Sequence, residues 1–156
     1  MRFLILSDSH GNVYNIRQVL LKHQGIENII FLGDGVKDFE NLGADLNGRK
    51  VTMVCGNCDF GCELPAVETL IAEEKKIYIT HGHKFSVKYG TDSLLAQAYK
   101  ERANLVLFGH THTQYIDYIE GMHVVNPGSI NEGLYAVADV TKQGIVISEM
   151  DIRKYI

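Results

Sequence analysis

Five short apolar runs of this chain each end in polar residues whose side chains are common ligands of divalent metals. The runs lie at 3–6, 29–32, 51–55, 77–79 and 105–108. Their tails carry two aspartates, four histidines and one asparagine: Asp8, His10, Asp34, Asn57, His81, His110 and His112. Carboxylate, imidazole and amide groups suit Mn²⁺, Fe²⁺, Zn²⁺, Co²⁺ or Ni²⁺. Seven such groups are too many for one catalytic ion, so the pattern indicates two ions that share a carboxylate.

The apolar runs also predict how these groups are brought together. Short, continuous runs rich in β-branched residues are typical of strands buried on both faces. Strands that share a sheet and a direction have their carboxyl ends at one edge, where open α/β sheets bind ligands. In Asp8-x-His10 and His110-x-His112, an extended backbone would direct both side chains to the same side. We therefore expect the tails to converge at one sheet edge.

The order of the predicted elements favours a mixed α/β fold. Asn12 is the predicted cap of a helix that buries Val13, Ile16, Val19 and Leu20 and is ended by Gly25, and further helices are predicted around 37–46 and 92–102. A β-hairpin is predicted at 67–80, and strands dominate after residue 104. Alternation in the first half favours parallel pairing, whereas the successive strands of the second half favour antiparallel pairing. Residues 1–156 are thus expected to form one domain, a sandwich of two mixed sheets covered by helices.

Composition excludes several classes of partner. The net charge of −4 and the pI near 5.9 argue against a nucleic-acid-binding surface. No apolar run approaches the roughly 20 residues of a membrane span. Asp8 and His10 interrupt the first run too early for a signal peptide. We therefore predict a cytoplasmic protein that binds neither membrane nor nucleic acid.

Three cysteines, Cys55, Cys58 and Cys62, lie within eight residues. Their odd number and clustering do not indicate a disulfide framework, and Cys55 is expected inside a strand as a small apolar residue. A lone Cys-x-x-Cys is a weak signal for a redox or zinc pair, because no second pair completes a zinc site.

Each metal-binding motif alone has a simpler explanation. Gly-Asp and Gly-Asn after a strand are usually turns, and an isolated Asp-x-His is common. Their combination on five strand-like runs is harder to explain, because imidazoles and carboxylates gathered without a compensating charge are destabilising. His23 and His123 lack this context and are expected to be a helix-end residue and a strand residue.

Taken in order, the motifs resemble the calcineurin-like metallophosphoesterase superfamily, and most of all its small, single-domain phosphodiesterase branch. They are Asp8-Ser9-His10-Gly11-Asn12, Gly33-Asp34, Gly56-Asn57-Cys58-Asp59, Thr80-His81-Gly82-His83, Gly109-His110-Thr111-His112 and Asn126-Pro127-Gly128-Ser129. The resemblance implies a four-layer α/β/β/α sandwich with a dinuclear metal centre at the carboxyl ends of the strands. It implies one ion on Asp8, His10, Asp34 and His112, and a second on Asp34, Asn57, His81 and His110, with Asp34 bridging.

The implied activity is hydrolysis of a small phosphodiester by a metal-bridging hydroxide, with two ions per chain and Mn²⁺ the foremost choice. Bound metal lowers the pKa of water from 15.7 to about 7. Asn57 and His81 are the implied groups that orient the phosphate. The alternatives are a phosphomonoesterase or nucleotide pyrophosphatase on the same centre, and a protein-binding scaffold, since the branch includes a retromer subunit of that kind. Retention of all seven ligand positions favours the enzyme.

One position departs from the pattern of many superfamily members. Cys58 stands where they carry a histidine thought to protonate the leaving group. A thiol with a pKa near 8.5 fits neutral pH less well than an imidazole, so water or His83 are alternative donors. His83 could equally hydrogen-bond a ligand carbonyl or pack beneath its loop. Asn12, beyond capping its helix, is a candidate substrate contact together with Asn57, because the helix N-terminus would face a bound anion.

Two further expectations concern the surface. No insertion is long enough to cap the site, so the pocket is predicted to be open and shallow. Tyr115, Tyr118 and Ile119 are candidates for a subunit contact in a homo-oligomer, although core packing explains them equally well.

Overall fold

The computed structural model describes residues 1–155, so the last residue of the predicted domain, Ile156, lies outside the described residues. The strands are β1 (Arg2–Leu6), β2 (Asn28–Phe31), β3 (Lys50–Met53), β4 (Val67–Ala72), β5 (Lys75–Thr80), β6 (Leu105–Leu107), β7 (Gln114–Ile119), β8 (Met122–Pro127), β9 (Leu134–Val140) and β10 (Ile145–Asp151). The α-helices are α1 (Val13–Lys22), α2 (Val36–Glu40) and α3 (Asp92–Lys100). Short 3₁₀ turns occupy Gly43–Leu46, His83–Phe85, Val87–Tyr89, Ile130–Glu132 and Ile152–Tyr155. Within the described range, every helix is too short or too polar to span a membrane.

The strands form two mixed sheets, as expected, and each sheet has five strands. The first has the order β10-β9-β1-β2-β3 and the second β4-β5-β6-β8-β7. Parallel pairing joins β1 to β2, β2 to β3, β5 to β6 and β6 to β8, and the remaining pairs are antiparallel. The strands that precede the predicted ligands are therefore divided between the sheets. The expectation of a single sheet edge was wrong, because ends of both sheets supply the residues.

Three apolar cores hold four layers together. Phe3 and Ile5 of β1 face the core between the sheets, whereas Leu4 and Leu6 face the core beneath α1 and α2, since strand side chains alternate. A third core packs the outer side of the second sheet against Leu94 of α3 and its neighbours. Central strands are consequently buried on both faces, which explains their continuous apolar sequence and confirms the four-layer α/β/β/α sandwich.

Strand β3 does not share this burial, contrary to the sequence interpretation. Its residues after Lys50 are only partly buried. The reason is its position at the edge of the first sheet, where only β2 is hydrogen-bonded to it. Its apolar side chains still reach the core beneath α1 and α2 through Val51 and Met53.

The helices agree with the sequence in part. The Asn12 side chain accepts a hydrogen bond from the Asn15 amide, which confirms the predicted cap of α1. That helix ends at Lys22, with His23 as its C-cap, a little before the predicted stop at Gly25. The single helix expected at 37–46 is instead α2 followed by a 3₁₀ turn. Gly43, at φ +50°, has a backbone conformation that ends an α-helix.

Cys55 and Cys62 form a disulfide, and Cys58 is free. The expectation that the cysteines make no disulfide and that Cys55 lies inside a strand was wrong. Cys55 follows the end of β3, where the chain folds back and brings the two Cα atoms to 6.2 Å, a separation usual for a disulfide. The bond closes the loop that carries Asn57.

Asp59 joins the turn after β2 to the turn after β3. Its carboxylate accepts hydrogen bonds from the backbone amides of Asp34, Gly35, Val36 and Gly56, at 2.7 to 3.0 Å. Charge-assisted bonds of this kind are stronger than neutral ones. One side chain therefore fixes the two loops that carry Asp34 and Asn57.

Replacing Asp59 with Asn tests this joint. The amide has one acceptor oxygen in place of two, so two of the four amides lose a partner. Leaving a buried donor unpaired costs about 1–3 kcal/mol, and we expect a loss of about 3 kcal/mol in the free energy of unfolding measured in urea. Glu149→Gln removes the same charge from an exposed site and is expected to change stability by less than about 0.5 kcal/mol. Equal unfolding midpoints for the two variants would contradict the assignment.

Candidate metal centre

The structure brings all seven predicted ligand residues together at one place. They form two groups, each with its ligand atoms mutually close. In the first, one atom each of Asp8, His10 and His112 lie within 4.8 Å of one another, and in the second the same holds for Asp34, His81 and His110. Asn57 joins the second group, because its Oδ1 is 3.0 Å from His81 Nε2.

The first group is built around one oxygen of Asp8. His112 Nε2 lies 3.2 Å and His10 Nε2 lies 3.6 Å from Asp8 Oδ1. The two imidazole nitrogens are themselves 3.3 Å apart. Two nitrogens and a carboxylate oxygen thus face one small volume, as ligands of a common ion would.

Asp34 lies between the two groups. Its Oδ2 is 3.3 Å from His81 Nε2 and 3.9 Å from His10 Nε2, so one oxygen faces an imidazole of each group. Its Oδ1 is held by the Cys58 amide at 2.7 Å. This position is the one expected for a carboxylate shared by two ions.

His81 is oriented by the backbone. Its Nδ1–H donates to the Leu32 carbonyl at 2.7 Å, and the side chain is fully buried. This bond fixes which ring nitrogen carries the proton and leaves Nε2 directed at Asp34. Backbone contacts of this kind are typical of metal-binding histidines.

The carboxylate of Asp8 tests whether the residues fit a metal. Asp8 is fully buried, and its Oδ2 accepts hydrogen bonds from the Ser7 hydroxyl and the His110 amide. Within residues 1–155 its Oδ1 has no hydrogen-bond partner. A buried carboxylate oxygen without a partner is costly, and a cation among the surrounding imidazoles would remove that cost. The donors are nitrogen and oxygen atoms that suit Mn²⁺, Fe²⁺ and Zn²⁺, so these residues fit divalent metals.

The buried charges shift the pKa values of the ligands. Burial raises the pKa of Asp34, but the hydrogen bond and charge of His81 and the Cys58 amide outweigh it and hold this pKa well below its usual range. Burial lowers the pKa of His81, yet the hydrogen bond to Asp34 and the charge of Asp8 raise it above normal. The pKa of His110 is lowered, chiefly by burial. Asp34 is therefore ionised at neutral pH, and a metal would displace any proton on His81 Nε2.

Five of the seven ligand residues have a left-handed backbone. They are Asp8, His10, Asp34, His110 and His112, with φ between 45° and 70°. The expectation of an extended backbone in Asp8-x-His10 and His110-x-His112 was wrong: β1 and β6 end before these residues, and tight turns aim the side chains. Each such residue costs of order 1–3 kcal/mol, and backbone strain of this kind is concentrated at functional sites.

The Asn126-Pro127-Gly128-Ser129 segment braces the strained turns. Ser129 Oγ donates to the Asp8 carbonyl at 2.8 Å. Asn126 Nδ2 donates to the Gly109 carbonyl at 3.0 Å and to Thr111 Oγ1 at 2.9 Å. The sequence marked the segment as a motif without assigning it a task. The structure shows that it fixes ligand turns from both sheets.

Three further candidates lie around the centre. Cys58 is exposed, with its sulfur close to ligand atoms of His10 and Asp34; burial, then the charge of Asp34, raises its pKa. The His83 ring is 5.4 Å from that of His81, and its buried Nδ1 has no hydrogen-bond partner among the described residues.

Asn12 uses both ends of its side-chain amide within the protein. Its oxygen accepts from the Asn15 amide, and its nitrogen donates to Asn131. The substrate contact predicted for Asn12 stays a prediction.

A cleft of about 540 Å³ opens beside the centre. His10, Asp34 and Cys58 are among its lining residues, and the loop 59–64 forms one wall. The sequence predicted an open pocket without a cap. It did not predict this wall, which depends on the fold of the disulfide loop.

The candidate subunit contact is only partly exposed. Tyr115 and Ile119 pack against the outer core of the second sheet. Tyr118 is exposed and lies against the ring of His123, a residue of β8 as expected. Core packing thus accounts for two of the three residues, and a homo-oligomer stays a prediction.

Comparison with known proteins agrees with this geometry. Residues 1–147 match the model of the calcineurin-like phosphoesterase superfamily domain. The chain is 30% identical to a probable metallophosphoesterase of Bacillus subtilis, YsnB, over 83% of this chain and 75% of that protein. It is also 30% identical to the phosphodiesterase MJ0936 of Methanocaldococcus jannaschii, over 82% of this chain and 83% of that protein.

A solved structure of similar fold is that of Vps29 from Entamoeba histolytica in complex with zinc. It superposes with a TM-score of 0.78 over 97% of this chain and 99% of that one, at 18% identity. At that identity the likeness concerns the fold alone. The family match covers nearly the whole chain, and together with the 30% identical relatives it shows that this chain belongs to the calcineurin-like phosphoesterase superfamily.

Proposed function

We propose that this protein is a metal-dependent phosphodiesterase with a dinuclear centre. The observation that carries the proposal is the fully buried carboxylate of Asp8, whose Oδ1 has imidazoles around it and no hydrogen-bond partner in the described chain. The position of Asp34 between two ligand groups supports two ions and a bridging role. We propose Mn²⁺ as the metal, and residues 1–156 as one domain.

The ligand set divides in the way that the family resemblance implies. One ion would be held by Asp8, His10, Asp34 and His112, and the other by Asp34, Asn57, His81 and His110. Bound ions would supply Lewis-acid activation of water and stabilise the charge on the phosphoryl oxygens. Two divalent ions would carry four positive charges, and the two aspartates only two negative ones. The loaded site would therefore attract an anion even though the protein as a whole is acidic.

The chain's own groups have three tasks around a bound ester. Asn57 is exposed beside the centre, and its amide nitrogen, 3.4 Å from Cys58 Sγ, can turn to a phosphoryl oxygen. His81 is locked by Leu32 and keeps the centre's geometry as charge develops. Its neighbour His83, whose ring lies 5.4 Å from that of His81, is a candidate proton donor or positioning group.

A diester fits the surroundings better than a monoester. A diester carries one negative charge near neutral pH, whereas a monoester carries nearly two. Beyond the candidate ligands, the described lining of the cleft has a single cationic side chain, Lys37, to balance the second negative charge of a monoester. A scaffold role by itself would leave the unpaired Asp8 oxygen unexplained. Phosphomonoesters and nucleotide pyrophosphates are therefore the comparison substrates in an activity screen with metal-reconstituted protein.

Asp34→Asn tests the dinuclear assignment. Loss of the shared charge is expected to weaken both sites, so Mn²⁺ binding measured by calorimetry falls from two ions to fewer. Hydrolysis of bis-p-nitrophenyl phosphate is expected to fall by at least about 100-fold, comparable with loss of one group that stabilises transition-state charge. Asp45→Asn removes the same charge from a surface ion pair and is expected to behave as wild type. Full activity of Asp34→Asn would end the dinuclear account.

Cys58→Ala tests who protonates the leaving group. The pKa of the thiol is raised by burial and by Asp34, so we expect a minor contribution and a loss of less than about 100-fold, the low end for general acid catalysis. The wild-type rate should then rise steeply as the leaving group of an aryl diester becomes more acidic. The isosteric Cys58→Ser variant is the matched control. A larger loss in Cys58→Ala, or a flat leaving-group dependence, would identify the thiol as an effective acid.

A further inference from the structure

The cleft beside the metal centre is continuous with it. His10 and Asp34 belong to the candidate ligand groups and also line the cleft. Its volume of about 540 Å³ lies within the range of small-molecule sites. A phosphoester bound at the centre would therefore extend one of its organic groups into this space.

The two walls of the cleft are held together before any ligand binds. One wall begins at Gly35 and continues along α2, and the other is the loop 59–64. Asp59 in the loop hydrogen-bonds the Gly35 and Val36 amides, and the Cys55–Cys62 disulfide closes the loop at its base. A preformed site loses less free energy in ordering its walls than a flexible one.

The surface of the cleft is partly apolar. Phe60 is 83% exposed and Leu64 is 37% exposed, although both are large apolar residues. Both line the cleft, together with Val36 from the facing wall. An aromatic face open to solvent at this position is available to stack on a ligand.

The charge of the cleft is negative beyond the metal ligands. Its lining carries four carboxylates, Asp38, Glu40, Asp59 and Glu63, against one lysine, Lys37. Asp38 and Asp59 are engaged with Ser9, Gly11 and the loop amides. Glu40 and Glu63 are exposed and have neither an ion pair nor a hydrogen bond within residues 1–155. These two carboxylates are free to face a ligand.

We propose that the cleft binds a cationic organic group of the phosphodiester, with an apolar body and a quaternary or primary ammonium. The phosphate would lie at the metal centre, while the ammonium lies between Phe60 and the carboxylates of Glu40 and Glu63. An ammonium over an aromatic face is attracted by the ring, and nearby carboxylates add to that attraction. The same carboxylates repel a second phosphate, so polyphosphates and nucleotide pyrophosphates are disfavoured. This inference rests on the proposed phosphodiesterase activity and adds a substrate class to it.

The test compares two esters that differ only in charge. p-Nitrophenyl phosphorylcholine and 3,3-dimethylbutyl p-nitrophenyl phosphate have the same shape, because a quaternary carbon replaces the nitrogen. With Mn²⁺-loaded protein, kcat/KM is expected to favour the choline ester by about fivefold. Calorimetry with phosphorylcholine and 3,3-dimethylbutyl phosphate measures the same preference without turnover.

Variants of the cleft decide what causes the preference. The double variant Glu40→Gln, Glu63→Gln is expected to reduce the preference to about one, because the choline ester then loses the attraction of both exposed carboxylates. Phe60→Ala is expected to raise the KM of both esters. The double variant Glu120→Gln, Glu149→Gln removes two exposed charges outside the cleft and is the matched control.

The outcomes separate the two claims. A preference at or below one in the wild type, or one that survives the double variant, overturns the cleft assignment even if both esters are hydrolysed. Hydrolysis of neither ester, with the binding preference retained in calorimetry, overturns the proposed activity and leaves the cation-binding cleft in place.

Discussion

The fully buried carboxylate of Asp8 faces three imidazoles with an oxygen that no described donor satisfies. Asp34, nearly as buried, lies 3.3 Å from His81. Removing two carboxylates from water is expensive, and the surrounding imidazoles offset only part of that cost. Divalent cations at this point would compensate the negative charge of both carboxylates. The architecture around the centre follows from the need to hold these groups in place.

The candidate ligand side chains are positioned by turns, and by the hydrogen bonds that fix those turns, more than by the strands themselves. The strands of two sheets end before the ligands, and left-handed turns aim them. Such turns are unfavourable for non-glycine residues, so the surrounding structure has to stabilise them. Asp59 does this for the turns after β2 and β3, and Asn126 and Ser129 do it for those after β1 and β6. Stability and metal binding are thus coupled through the same few side chains.

The sequence predicted the sandwich because its short, continuous apolar runs indicate strands that are buried on both faces. Central strands such as β1 and β6 were recognisable from continuous apolar residues, and the Asn12 cap from its position before a periodic stretch. The edge position of β3 was not recognisable, because pairing order is a tertiary property. The order of the motifs also marked the seven candidate ligand residues, which the fold brings together.

What the sequence did not reveal depends on loop geometry. The turn conformation of Asp8 and His110 has no periodicity to mark it, and the extended backbone expected there was wrong. Pairing of Cys55 with Cys62 requires the chain to fold back after β3, which spacing alone does not show. Phe60 lines the cleft and is exposed beside the centre, and neither property can be recognised from the sequence around it.

The central claim is that two ions share Asp34. The direct measurement is X-ray diffraction from crystals grown with Mn²⁺, with anomalous difference maps calculated at the manganese edge. Two strong peaks are expected, one beside Asp8, His10 and His112 and one beside Asn57, His81 and His110, with the Asp34 carboxylate touching both. A single peak, or peaks that Asp34 does not contact, would contradict the account.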